Sequence, residues 1–259
     1  MAIKKILNKL PLSITLIIFL LFVFVPLFSA AEYTFKTSVK AHYSLDNYRW
    51  VFTQPEFGYY IVRSLLLSAG AILISLIVLV PLQIWLHISE TKIRQVVDVV
   101  SLFPLIIPVV VYAIGAQIAI PLRLQDSVLE LPFLYAMLAL PYTYRALDIG
   151  INAIPLKIYY EAAISAGANG FKTITIVVLP AIRSALLGAI ALCFALSIGE
   201  FTITSLLHWD TFPTWINDVS QGNVLGAITL SVISLIIPIF LLVFITAFLP
   251  KNREKVQNG

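Results

Sequence analysis

The chain has 259 residues, 60% of them hydrophobic and only 12% charged, with a mean hydropathy of +0.97. Soluble domains carry roughly a quarter of their residues as charges, so this composition excludes an ordinary soluble fold and points into a bilayer. The net charge of +4 comes from basic residues scattered among apolar stretches rather than gathered on one face, which argues against nucleic acid as a partner. A single cysteine, Cys193, rules out an intramolecular disulfide and a multi-cysteine metal site. His42, His87 and His208 lie far apart and show no metal-ligand spacing.

A membrane helix needs roughly 20 mostly apolar residues to cross about 30 Å of hydrocarbon. Six such spans are expected in one all-α domain covering residues 1–259, at about 10–31, 64–87, 99–122, 127–145, 180–204 and 222–250. The first holds 22 uncharged residues between Lys9 and Glu32. Its basic start (Lys4, Lys5, Lys9) and small residues Ser29, Ala30 and Ala31 suit a signal peptide, but the apolar run exceeds the roughly 7–15 residues of a signal, so an uncleaved anchor is expected. The second span is interrupted by Pro81, and the third lies between Asp98 and Arg123. The fourth is the weakest, with 14 uncharged residues from Leu131 to Tyr144. The fifth lies between Arg183 and Glu200, extended by its flanks, and the sixth is long enough to tilt or to include an interfacial segment.

Charge placement decides whether the fourth segment crosses. With six spans and a cytoplasmic N-terminus, the inside segments hold 12 Lys and Arg, against five outside: Lys36, Lys40, Arg49, Arg63 and Arg123. That is the positive-inside pattern, and it places both termini and a loop of about 146–179 in the cytoplasm. Pro26, Pro81, Pro104, Pro108, Pro141 and Pro238 fall in or near apolar runs; they either shape the bundle or mark helices that rearrange. Glu200, after the uncharged part of the fifth span, either lines a substrate pathway or is hydrated at the outer interface.

The large inside loop carries the most informative pattern. Pro155 suits a first helical turn, Tyr159 through Ala166 favours helix, and Gly167 and Gly170 supply a stop and a turn. The small residues Ala162, Ala163 and Ala166 give that helix a slim profile able to approach another surface closely. Glu161-Ala162-Ala163, then Gly167, then Leu179-Pro180, with Val177 where isoleucine is usual, resembles the signature of ABC importer permeases. The resemblance extends from Leu45-Asp46-Asn47-Tyr48 to Gly199-Glu200-Phe201, and it departs at Arg63-Ser64, where Asn-Ser is expected.

The resemblance implies a type I ABC importer permease fold in a bacterial inner membrane, with the loop acting as a coupling helix in a groove on an ATPase subunit. Glu161 would make polar contacts there, Ala162 and Ala163 would pack, Gly167 would permit the turn, and Leu179-Pro180 would start the fifth span. It also implies two ATPase subunits, a second permease subunit (a heterodimer by analogy, a homodimer as the alternative) and an extracytoplasmic binding protein. The chain lacks a Gly-x-x-x-x-Gly-Lys-Ser/Thr loop, since Gly167-Ala-Asn-Gly170-Phe-Lys172 has the wrong spacing. No cofactor is expected in this chain; ATP and Mg belong to the ATPases, and no enzyme activity is expected here.

The chain looks most similar to the spermidine/putrescine branch, and Glu200, Asp210 and Asp218 would suit a small cationic solute. Related branches carry thiamine, ferric iron, phosphonates, sulfate or molybdate, and Gly199-Glu200-Phe201 also resembles anion importers. An ion-gradient-driven transporter is the rival from another class; it would call for acid–base relays and paired broken helices. A membrane-anchored assembly protein without transport is a third.

Overall fold

The computed structural model describes residues 10–37, 42–89, 91–125 and 127–248. Lys4, Lys5, Lys9, Lys40, Lys251, Arg253 and Lys255, counted above for topology, lie outside them. Among the described residues the regular elements are helices, with one isolated bridge between Lys36 and Tyr43. In chain order they are α1 (Leu10–Tyr33), α2 (Asp46–Thr53), α3 (Pro55–Ser89), α4 (Ile93–Val100), α5 (Phe103–Ile106), α6 (Val109–Ala119), α7 (Leu122–Gln125) and α8 (Glu130–Asn152). There follow α9 (Leu156–Ser165), α10 (Gly170–Lys172), a π-helical turn (Thr173–Val178), α11 (Leu179–Ala181), α12 (Arg183–Ile198), α13 (Thr202–Leu206), α14 (Phe212–Gly222) and α15 (Val224–Phe248).

The helices form two compact units. One runs up to Phe57 and includes Trp215–Ile236; the other is Gly58–Thr214 with the residues from Ile237 on. In the first unit α1 is apolar all round and none of Ile14–Tyr33 is buried, as befits a helix whose solvent is lipid. The Asn47-Tyr48 pair ties down the chain that leaves α1. Asn47 donates to the carbonyls of Thr34 (2.8 Å) and Lys36 (3.0 Å), and the Tyr48 hydroxyl bonds that of Thr34 at 2.8 Å.

In the second unit three long helices carry two successive cores. Leu79, Val80 and Ile84 of α3 meet Tyr144, Leu147 and Ile151 of α8 and Ala185 and Ala189 of α12 in the first. Leu67 and Ala71 of α3, Leu131, Leu134 and Tyr135 of α8, and Cys193 of α12 build the second. Helices α8 and α12 approach closely because a glycine faces an alanine: a Cβ on Gly150 would stand 2.8 Å from the Ala185 Cα. Small residues that let backbones approach are the usual means of packing helices in lipid.

Four described helices are long and apolar enough to cross a membrane: Ile14–Tyr33, Pro55–Ser89, Arg183–Leu206 and Val224–Leu241. The stretch expected as one span over 99–122 is instead broken, with Ile93–Ile106 and Val109–Ala119 meeting at 99°. Pro108 explains the break. Its ring disfavours helix in the preceding residue, and Ile107 is extended at φ −85°, ψ 124°. Counted as one span, the pair makes five. The weak fourth segment is a helix, α8, but it carries Glu130, Arg145 and Asp148 and is not among the apolar four.

Candidate functional site

Helix α9 begins just after Pro155, whose φ of −79° and ψ of 64° turn the chain into it. Leu156, Tyr160 and Ala163 recur at helical spacing and supply the inward stripe. Leu156 is buried in the first core, with Tyr160 packed against that core. Glu161 and Ala162 are exposed, and Ala163 is half-buried. The helix thus uses one face to hold on to its own chain and offers the other.

Its end is set by backbone geometry. Gly167 has φ +87°, its N–H donates to the Ile164 carbonyl (2.9 Å), and the Ala168 N–H donates to the Ala163 carbonyl (3.1 Å). This pair of bonds is a Schellman closure, in which a left-handed residue satisfies the last carbonyls of a helix. A Cβ at Gly167 would meet nothing within 4 Å, so conformation rather than space calls for glycine here. Gly170 plays no such part. It opens α10, and the turn is made by Asn169, whose side-chain oxygen accepts the Lys172 N–H at 2.8 Å.

The chain then widens into the π turn Thr173–Val178 just before Leu179 and Pro180. Pro180 has no N–H, and its ring would otherwise meet the carbonyl one turn back. Leu179 is half-buried against the first core and Pro180 is exposed. Glu161, Ala162, Ala163, Gly167, Leu179 and Pro180 therefore belong to one segment resting on the first core. Glu200 does not join them; α12, about 24 Å long at 16 residues, intervenes.

Glu200 sits in the break between α12 and α13 and is only 7% exposed, so hydration at an interface does not describe it. Its carboxylate accepts the Ile203 N–H at 3.0 and 3.1 Å and the Thr204 N–H at 3.5 Å. It satisfies the opening donors of α13, which supplies a local reason for a carboxylate there.

A polar cluster beneath α9's end of the unit was not singled out from the sequence. Arg94 donates to Asp148 at 2.7 Å and to Asn152 at 3.2 Å. Tyr144 donates to Asp98 at 2.7 Å. Arg145 lies 3.9 Å from Asp98 and 3.8 Å from Asp148, and His87 Nε2 lies 3.5 Å from Asp148. The cluster links α3, α4 and α8 where the first core meets Leu156. Beside it, a cavity of about 670 Å³ with mostly apolar walls runs from Trp85 of α3 to Tyr160 and Leu179. Through Leu156 and Tyr160, α9 packs on the core that α3, α8 and α12 share.

The profile of the family described as binding-protein-dependent transport system inner membrane component matches residues 80–254, a stretch that includes α9, Gly167, Pro180 and Glu200. A Streptomyces antibioticus protein named as an ABC transporter permease, ORF1, is 23% identical over 183 residues, 68% of this chain and 78% of that protein. The fold is similar to that of a chain in the crystal structure of a bacterial alginate ABC transporter in complex with an alginate pentasaccharide-bound periplasmic protein. That likeness has a TM-score of 0.65 at 18% identity and covers 94% of each chain.

Proposed function

This chain belongs to the binding-protein-dependent transport system inner membrane component family, and we propose that it forms half of the substrate pathway of an ATP-driven importer, coupled to its ATPase through α9. As a member of that family it is a membrane-embedded permease component, with ATP hydrolysis in a separate subunit. The observation that carries the coupling reading is α9 itself: a short helix anchored by Leu156, with Glu161 and Ala162 exposed on its other face and its end closed by left-handed Gly167.

In this reading α8 is the sixth crossing, both chain ends are cytoplasmic, and two ATPases dock, each on the α9 of one permease subunit. ATP and Mg are held by the ATPases. The second subunit is a related permease, with a second copy of this chain as the alternative, and an external binding protein delivers the solute, as the periplasmic protein in the alginate transporter complex suggests. ATP binding draws the ATPases together, α9 moves with them, and the differential affinity of nucleotide for the two states drives the switch.

The cargo expected from the resemblance is a small polar or cationic solute of the spermidine/putrescine kind. Of the three carboxylates behind that expectation, Glu200 is engaged by backbone N–H groups, while Asp210 and Asp218 are exposed. The second reading, an importer of phosphonate, sulfate or another anion, draws support from Arg63, taken up below. Uptake by reconstituted transporter that requires ATP and ignores proton and sodium gradients separates both from a secondary transporter. Glu161→Lys and Gly167→Asp should each lower ATP-driven uptake at least tenfold while the chain still inserts; normal uptake and ATPase co-purification in both would overturn the coupling assignment.

A further inference from the structure

We propose that Arg63, held between Tyr59 and Trp209 in the wall of a cavity of about 690 Å³, is a binding site for the oxyanion of a phosphate-, sulfate- or carboxylate-bearing ligand. The inference rests on the permease reading above, in which this end of the second unit faces outward.

Arg63 differs from two other arginines beside the long helices. Arg94 and Arg145 each pair with a carboxylate. For Arg63 no carboxylate lies within ion-pairing distance among the described residues. Its guanidinium carbon stands 5.9 Å from the Tyr59 ring centre and 5.7 Å from that of Trp209. One N–H donates to the Tyr59 hydroxyl at 3.2 Å. A guanidinium has five N–H donors, and a planar, weakly hydrated cation can stack on rings while still pairing with an oxyanion. An arginine near the end of a membrane helix carries its charge to the interface or into a polar cavity.

The clamp is built before any ligand arrives. The Trp209 indole donates to Glu130 at 2.6 Å, and Glu130 is buried. The Trp209 N–H donates to the Thr204 carbonyl at 2.9 Å, with His208 at φ +58° directing the turn. Ser64, next to Arg63, accepts the Phe212 N–H at 2.9 Å and fixes the same loop to α3. Ser127 adds a hydroxyl to the cavity wall. Arg63 precedes His87, the α3 member of the polar cluster, by 24 positions, about 36 Å along a helix, so the site lies at least a bilayer's thickness from that cluster. The Arg63 charge disfavours a polyamine there, an effect partly offset by the Glu130 carboxylate bonded to Trp209. An anionic solute, or the phosphate of a lipid headgroup, would be held.

The test uses the full-length chain in uncharged detergent, titrated calorimetrically with sulfate, inorganic phosphate, acetate and spermidine. Saturable binding of sulfate or phosphate is expected, weakened about tenfold or more in Arg63→Gln and less in Arg63→Lys. Thermal unfolding of each variant checks that it remains folded. Nanodiscs of phosphatidylcholine, with and without phosphatidylglycerol, distinguish the source. With salt added to screen the surface charge, equal binding in both assigns the site to a solute; binding suppressed by phosphatidylglycerol assigns it to a headgroup, and either result supports an oxyanion site. The proposal is overturned if no oxyanion saturates, if Arg63→Gln binds as well as the parent, or if spermidine competes. It is also overturned if binding emerges only in Asp126→Asn, a carboxylate next to Ser127 in sequence that lies outside the described residues, since the cation would then already be paired within the chain. None of these outcomes bears on coupling, which is read by ATPase retention at α9.

Discussion

Two helix ends in the second unit are closed by the same pair of hydrogen bonds and differ in the residue that makes the turn. After α9 the left-handed residue is Gly167, with bonds of 2.9 and 3.1 Å; after α13 it is His208, with bonds of 3.4 and 2.9 Å. Both residues are exposed. The left-handed conformation disfavours any L-residue with a Cβ by about 1–2 kcal/mol. The α9 end avoids that penalty, while the α13 end accepts it and is held by other bonds: Thr214 donates to the Trp209 carbonyl at 3.4 Å, and Ser64 fixes Phe212. One end is thus specified by its own backbone, as suits the segment proposed to move against a partner. The other is specified by its surroundings, as suits the fixed wall of a cavity.

The acidic residues at the two ends of α8 sharpen the contrast. Asp148 faces Arg94, Arg145 and His87, whereas Glu130 accepts one indole N–H. Asp148→Asn removes the charge those groups converge on and should cost about 2 kcal/mol, less than the full loss of a buried pair because Arg94 and Arg145 remain partly hydrated. Gly167→Ala should cost about 1 kcal/mol from conformation alone. Glu130→Gln, which still offers an acceptor to Trp209, should stay within about 1 kcal/mol of the parent. His208→Gly should change sign and stabilise by a few tenths to about 1 kcal/mol. Thermal unfolding in one detergent orders all four. A stabilising Gly167→Ala or a destabilising His208→Gly would erase the distinction between the two turns.

Much of the α9 segment is legible locally, because Pro155, the helix-forming run and Gly167 each act on their own backbone. Gly170 misleads for the same reason: glycine suggests a turn, yet Asn169 makes it by side-chain capping. Pro108 was visible as a proline, but hydropathy is blind to the 99° bend that it causes. The polar cluster joins residues 46 and 54 positions apart, and no periodicity reveals such partners. Glu200 reads as an ionisable group at membrane depth, but its duty to α13 emerges only once the break at Gly199 is seen. The close approach at Gly150 likewise needs Ala185 beside it.

The central claim, that the exposed face of α9 meets an ATPase, is most directly tested by cross-linking. Cys193 is the chain's only cysteine and is buried, so a new thiol is a unique handle. In the assembled transporter, Ala162→Cys should cross-link to the ATPase subunit, with a yield that changes on adding ATP, while Leu206→Cys at the far end should not. Labelling of Ala162→Cys in intact cells by a membrane-impermeant thiol reagent, with no ATPase adduct, would contradict the account.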